Sequence, residues 1–379
     1  MLALALSGCA TFAERPAGEV WQPAPKLTPQ GGPTPEVPGQ PERPQRPPQS
    51  GPTSVPPPQG CKDFHPAVIA TCLDTVTAVA ALPSDGSTIA GLVGERTTGR
   101  ILRVQQGGDP EVIATLPVDG TGDGGLTGLA LSPSYAEDQL VFAYLTTGSD
   151  NRLVRLSPGD SPKPVLTGIP KGASGNRGGL AADHQGGLLL ATGNAGNPAA
   201  AADPGSLAGK VLRIDSTGKP APGNPDPGSV VVGTGLYSPG GVCSSLDGSM
   251  MWVTDRAPGR DVVYRLVLGK PLGSPAWTWP DRPGVAGCAS WSNMLSVATS
   301  TAGNLQSLPL GPEGMFTGKP LITMADPTTG FGRLSGVDML SDEVALGSTV
   351  NKDGGNPVSS DDRAVIIPHP FGGGAGTKD

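Results

Sequence analysis

From Thr77 onward short apolar runs alternate with polar turns, and the alternation repeats as a unit. A short apolar strand is followed by a turn bearing Asp, Gly or Ser, a second strand, a polar loop and a third strand that often ends in Arg-Leu or Arg-Ile. The clearest copies are GLTGLALSPSYAEDQLVFAYLTTGSDNRLVRLS from Gly125, GGLAADHQGGLLLATGNAG from Gly178 and GGVCSSLDGSMMWVTDRAPGRDVVYRLVL from Gly240. Weaker copies begin at Ala78, Gly287 and Gly336. No stretch sustains helical periodicity, whereas short apolar runs bounded by turn formers read as strands. Unit starts about 50 residues apart, with a fourth strand in the connecting segments PEVIATLP, KPVLTGIP and KPLITM, match the blade period of a propeller. The pattern predicts an all-β fold, a six-bladed β-propeller over residues 77–370, with a seven-bladed propeller or a sandwich as alternatives. In a propeller the first strand of each blade lines the central channel and ligands sit over one mouth. Functional residues are therefore expected in the loops that end the inner strands.

Composition divides the chain. Gly (58) and Pro (43) make up just over a quarter of its 379 residues, too much turn chemistry for a helical protein. Glu14 to Gly60 holds 15 of the prolines and almost no spaced apolar positions, so residues 10–60 read as a disordered Pro-rich linker. Residues 61–76 form a Cys-bearing lead-in and residues 371–379 a Gly-rich tail. With few aromatics, 16% charged residues and a net charge of −7, nucleic acid is not an expected partner.

The opening MLALALSGCA sets small residues directly before Cys9, the pattern of a lipoprotein cleavage site, so residues 1–9 read as a partial lipoprotein signal with Cys9 lipidated. The apolar run is short and no basic residue precedes it, so the true start is expected upstream of Met1. This predicts an exported protein, lipid-anchored on the extracytoplasmic face of the membrane. The remaining cysteines, Cys61, Cys72, Cys243 and Cys288, form an even set that suggests two disulfides. Three pairings are possible, and Cys61–Cys72 with Cys243–Cys288 is favoured, worth about 3 and 4 kcal/mol by chain entropy. Without a C-x-x-C motif and with three histidines in all, zinc is a poor rival.

Several segments resemble, in order and spacing, landmarks of the glucose/sorbosone dehydrogenase family. They are GDGGLTGLALSPSYAEDQLVFAYLT from Gly122, IPKGASGNRGGL from Ile169, TGNAGNPAAAADPGSLAGKVLRID from Thr192, GLYSPGGV from Gly235 and GFGRLSGV from Gly330. The tether, Cys pair and lipobox look like the mycobacterial and related actinobacterial lipoprotein variant of that family. The resemblance implies a six-bladed soluble aldose dehydrogenase dependent on pyrroloquinoline quinone (PQQ) and calcium. It also implies a histidine that takes the proton from the sugar hydroxyl, and Lys and Arg side chains that hold the tricarboxylate cofactor.

Residue by residue, the match is incomplete. The family's histidine register falls on Gly175. Asp183-His184 in DHQGG mimics another form of the motif but sits where other repeats place the turn between the first two strands. The cofactor cations align with Tyr237, Thr301 and Arg333-Leu334-Ser335, so Arg333 alone is expected to remain, with Tyr237 beside it. Main-chain oxygens of Ala257 and Pro258 are the candidate calcium ligands, next to Arg256.

Other signals read as structural. His65 and His369 are expected at the surface, and Asp342-Glu343 and Asp361-Asp362 in solvated turns. Trp277, Trp279 and Trp291 read as blade packing rather than a sugar-stacking patch. The G-x-G-x-x-G at Gly120, Gly122 and Gly125 lacks the context of a nucleotide loop. The favoured function is a divergent or non-catalytic module, presumed monomeric, that binds carbohydrate or an envelope protein; the alternative is an active PQQ- and calcium-dependent aldose oxidoreductase.

Overall fold

A computed structural model describes residues 55–84, 88–326 and 330–370. The lipobox with Cys9, most of the linker and the Gly-rich tail lie outside the described residues. Strand β1 (Val68–Ala70) precedes six antiparallel four-stranded sheets arranged as blades. Blade 1 is β2 (Val76–Ala81), β3 (Ala90–Glu95), β4 (Arg100–Gln105) and β5 (Glu111–Thr115). Blade 2 is β6 (Leu126–Leu131), β7 (Val141–Thr146), β8 (Asn151–Leu156) and β9 (Lys163–Ile169). Blade 3 is β10 (Gly178–Ala182), β11 (Leu188–Thr192), β12 (Lys210–Ile214) and β13 (Val231–Thr234). Blade 4 is β14 (Pro239–Ser244), β15 (Met251–Ala257), β16 (Arg260–Leu266) and β17 (Trp277–Trp279). Blade 5 is β18 (Val285–Ser290), β19 (Met294–Thr299), β20 (Asn304–Pro309) and β21 (Leu321–Thr323). Blade 6 takes β22 (Leu334–Met339), β23 (Val344–Thr349) and β24 (Ala364–Pro368) from the C-terminal end and β1 as its outer strand.

The predicted six-bladed propeller is present, and β1 adds what the sequence pattern concealed. The lead-in is part of the last blade, pairing Val68 with Val365. This joins the two ends of the folded chain and closes the ring.

Six hydrophobic clusters hold the ring, each spanning one blade-to-blade interface. Leu92 and Ile101 of blade 1 meet Leu126 and Val141 of blade 2, and Leu190 of blade 3 meets Phe142 of blade 2. Because both faces of an inner sheet are covered, strands such as Leu188–Thr192 are apolar and buried without alternation. At the axis the inner strands come together backbone to backbone. A Cβ on Gly179 would stand 2.7 Å from the Cα of Gly241, so part of the glycine excess is a packing requirement of the channel.

Both expected disulfides are present. Cys61–Cys72 brackets β1, and Cys243–Cys288 ties the inner strands of blades 4 and 5. Such bonds fit an extracytoplasmic domain. Among the described residues no helix is long and apolar enough to cross a membrane.

Candidate functional site

Every inner strand begins at the same mouth of the channel, and so do the turns between second and third strands. The charged loops gather at this mouth. The loops that end the inner strands, where function was expected, form the opposite mouth.

Carboxylates fix the loops that enter the blades. Asp123 accepts the backbone N–H groups of Gly175 and Asn176 at 2.9 and 3.1 Å. Asp255 accepts those of Tyr237 and Ser238 at 2.9 and 2.7 Å, and burial pushes its carboxyl up to about 6. Asp261 accepts those of Gly284 and Val285. Asp361 and Asp362, expected in a solvated turn, are 2% and 0% exposed. Asp362 accepts the N–H groups of Thr75 and Asn351 while Asp361 takes Arg363 and Asn351. Their burial follows from these donors, Asn351 and Arg363 from their own loop and Thr75 from the lead-in, which satisfy the charges.

Four arginines converge inside this frame. The Nη1 of Arg96, from the turn after β3, donates to the carbonyls of Gly120, Gly122 and Gly124 at 3.0, 3.1 and 3.0 Å. The glycine-rich loop is thus a carbonyl cradle for a cation, the reverse of a phosphate nest. Arg256 donates to the carbonyls of Val285 and Gly284 and to Ser300 Oγ. Burial pulls its guanidinium down to about 9, with Arg177 and Arg333 adding repulsion. Arg333 donates to the Gly354 carbonyl at 3.0 Å. Arg177 makes no hydrogen bond or ion pair with any described residue; burial lowers its proton affinity, and Arg96 and Arg333 push the same way against the pull of Asp123 and Asp353. Three buried donors nearby lack partners: Arg96 Nε, Arg333 Nε and Asn194 Nδ2. Such donors cost free energy unless a ligand accepts from them. The arrangement suits a polyanion presenting several carboxylates.

Beside Arg333, the one cation expected to remain, stand three further arginines, Arg96, Arg177 and Arg256. Alignment by position misses them because Arg177 and Arg256 sit in loops the resemblance marks for the histidine and for calcium rather than for cofactor cations, and Arg96 comes from a loop outside the landmarks. Arg333 lies in the cluster, and Tyr237 lies at the mouth, its carbonyl accepting from Asn194 N–H. Gly175 is there too, at φ +72°, where a Cβ would meet Asn194 Oδ1 at 2.8 Å. This loop has no room for a histidine side chain in its present path. Asp183 and His184 are at the opposite mouth, in the turn between β10 and β11. Asp183 is buried and pairs with Arg213 at 2.6 Å, while His184 is exposed.

Ala257 lies at the mouth, at the end of the β15–β16 hairpin whose tip is Pro258-Gly259. No three His, Cys, Asp or Glu side chains among the described residues gather as a metal site. Trp279 and Trp291 are buried, donating to Gln306 and Ser296, and Trp277 packs on Phe316. His65 is half-buried rather than on the surface, its ring edge against Phe331.

The glucose/sorbosone dehydrogenase sequence profile matches residues 73–282. The chain belongs to the glucose/sorbosone dehydrogenase family. It is 26% identical over 307 residues to the aldose sugar dehydrogenase YliI of Escherichia coli K12, covering 69% of this chain and 81% of that protein. The PQQ-bound aldose sugar dehydrogenase of Streptomyces coelicolor superposes with a TM-score of 0.71 at 29% identity, covering 82% of this chain and 99% of that one. An oxidoreductase of glucose dehydrogenase type from Thermus thermophilus gives 0.70 at 29% identity, covering 79% and 98%. In this member of the glucose/sorbosone dehydrogenase family, the mouth is accordingly the place to seek a cofactor.

Proposed function

We propose that the protein is a PQQ-dependent aldose oxidoreductase that binds its cofactor at the arginine-lined mouth. One observation carries the reading: four guanidinium groups gather at this mouth, Arg177 has no hydrogen-bond or ion-pair partner among the described residues, and three buried donors, Arg96 Nε, Arg333 Nε and Asn194 Nδ2, have none either. A planar tricarboxylate fits that deficit, with Arg177 and Arg333 the first candidates to hold it, Arg96 and Asn194 offering Nε and Nδ2, and Tyr237 at the rim. When bound, PQQ would supply a two-electron acceptor. Arg256, whose donors are taken by carbonyls, holds the loop entering blade 5 and adds charge. Calcium fits less well: the main-chain oxygens of Ala257 and Pro258 would have to hold it beside the Arg256 guanidinium.

Titration calorimetry with PQQ, with and without calcium, followed by a dye-linked aldose assay, tests this. Micromolar or tighter binding with turnover is expected, and no binding at millimolar PQQ sinks it. Gly175 favours a second reading, a divergent binding module for carbohydrate or an envelope protein, since the family histidine is missing from its register. Binding of PQQ without turnover on any aldose would select it.

The lipobox sequence and the Pro-rich linker support a further part of the proposal. The propeller is exported, tethered to the membrane by a lipid on Cys9, and works as a monomer. Labelling with a palmitate analogue should mark the wild type and not Cys9→Ala.

A further inference from the structure

We propose that Asp353 is the proton acceptor of the mouth, an inference that rests on the PQQ reading above. Oxidising a sugar hydroxyl needs a base beside the cofactor, with a lone pair free to receive the proton. The described histidines do not meet that need. His184 is at the other mouth, His65 packs on Phe331, and His369 packs on Trp291 and pairs with Asn293.

The carboxylates of the mouth are nearly all committed. Asp123 accepts three N–H groups, from Gly175 and from the backbone and side chain of Asn176. Asp255 and Asp261 each hold two backbone N–H groups, and Asp361 and Asp362 are saturated in the closure. Around the rim, Glu95 is taken by Arg100 and Thr98, Asp119 by Lys171 and Thr121, and Asp150 by Arg152 and Thr147.

Asp353 differs from all of these. Its side chain is 47% exposed and makes one contact among the described residues, to Arg96 at 3.4 Å. Its loop between β23 and β24 is held in place, because Asp353 N–H donates to Val350 and the Gly354 carbonyl accepts from Arg333. Arg177 feels its charge, and Lys352 beside it is turned away, donating to the Leu73 carbonyl. A loosely held carboxylate therefore stands in the wall of the polyanion site, among the groups proposed to hold the cofactor.

In the step itself, the O–H bond of the sugar C1 hydroxyl breaks and its proton goes to an Asp353 oxygen. The C1–H bond breaks with its electron pair passing to the quinone, the oxidant, and C1–O becomes a carbonyl. An anion that competes for Arg96 would also release Asp353 from its one partner, so filling the site would free the base.

Asp353→Asn, Asp353→Glu and Asp353→Gly should be measured for PQQ affinity and for aldose turnover, with thermal unfolding as a check on folding. Asp353→Asn should bind PQQ at least as tightly as the wild type, because a negative charge has left the site, yet lose 100-fold or more in kcat, in line with the roughly 100- to 10,000-fold contribution of a general base. Asp353→Glu should keep part of the activity, and formate should restore turnover to Asp353→Gly. A kcat for Asp353→Asn within a few-fold of the wild type overturns the proposal, as does parallel loss of PQQ affinity and kcat. A wild type that binds PQQ and oxidises no aldose overturns it and leaves only the cofactor-binding part of the reading above; a wild type that binds no PQQ sinks both.

Discussion

The two mouths of the channel are built from the same six inner strands and have opposite chemistry. Where the strands begin, four arginines crowd together with donors left unpartnered. Where they end, a cavity of about 510 Å³ is walled by residues such as Leu131, Pro133, Leu246 and Met339, with Tyr135, His184 and Asp338 the ionisable groups among its lining. The turns of this second mouth satisfy themselves: Asp183 caps its own turn through the N–H groups of Gln185 and Gly187 and neutralises Arg213. Self-satisfied polar groups stabilise a fold, whereas unsatisfied ones store free energy that only a ligand releases. The difference sets a self-satisfied mouth against one whose unpartnered donors fit the binding site proposed above.

The sharpest way to break that comparison is to remove a carboxylate from the structural mouth. Asp183→Ala leaves Arg213, 2% exposed in its side chain, as a buried unpaired cation. A cost of about 3–5 kcal/mol in urea unfolding is expected. PQQ affinity of the folded fraction should stay unchanged. If affinity falls with stability, the mouths are not separable.

A carboxylate at the arginine-lined mouth, Asp255, carries a pH dependence of its own. Burial raises Asp255 to about 6 in the folded state, above its unfolded value of 3.8. The native state therefore keeps this proton to higher pH than the unfolded chain, and stability falls as pH rises from about 4 to about 6. The contribution is roughly 2–3 kcal/mol. Unfolding measured across that window should show the decline in the wild type and a flatter profile in Asp255→Asn. A wild-type profile that rises through the window would contradict the assigned burial.

Next in size is the cation with no partner. Arg177→Ala should weaken PQQ binding by about 10- to 150-fold, the worth of one or two charge-assisted contacts at about 1.5–3 kcal/mol. It should leave the ligand-free protein as stable as before or more so, since burial already disfavours the Arg177 charge. Differential scanning of the free and PQQ-loaded protein separates the two effects. A loss of stability without ligand would mean that Arg177 holds the fold.

These contrasts also show what the sequence made visible. Blade repeats were legible because each inner sheet is buried on both faces, leaving apolar runs such as LLLAT between turn residues, and the even cysteine count anticipated both disulfides. The arginine cluster was hidden because its members come from blades 1, 3, 4 and 6, with no spacing that joins ERTTGR to GNRGG or TDRAPG. Arg256 looked like an obstacle to calcium, and only the folded ring sets it beside Arg177 and Arg333. Adjacent acids at Asp361 and Asp362 read as solvated for a related reason: Thr75, one of their donors, lies far away in sequence, and Asn351 reaches them only once the β23–β24 loop folds back. Strand β1 was concealed by its brevity, three residues in a lead-in whose partner is at the far end of the chain.

The smallest effect concerns the one histidine that mimics a catalytic motif. His184 adopts φ +55°, a backbone conformation that a side chain disfavours and glycine accepts. His184→Gly relieves that strain but also loosens the unfolded chain, so a net gain of at most about 1 kcal/mol is expected in thermal unfolding. Turnover and PQQ affinity should not move, because Arg96, Arg177, Arg256 and Arg333 gather at the opposite mouth. Loss of turnover in His184→Gly with stability intact would reassign the chemistry to DHQGG and reverse the roles of the two mouths.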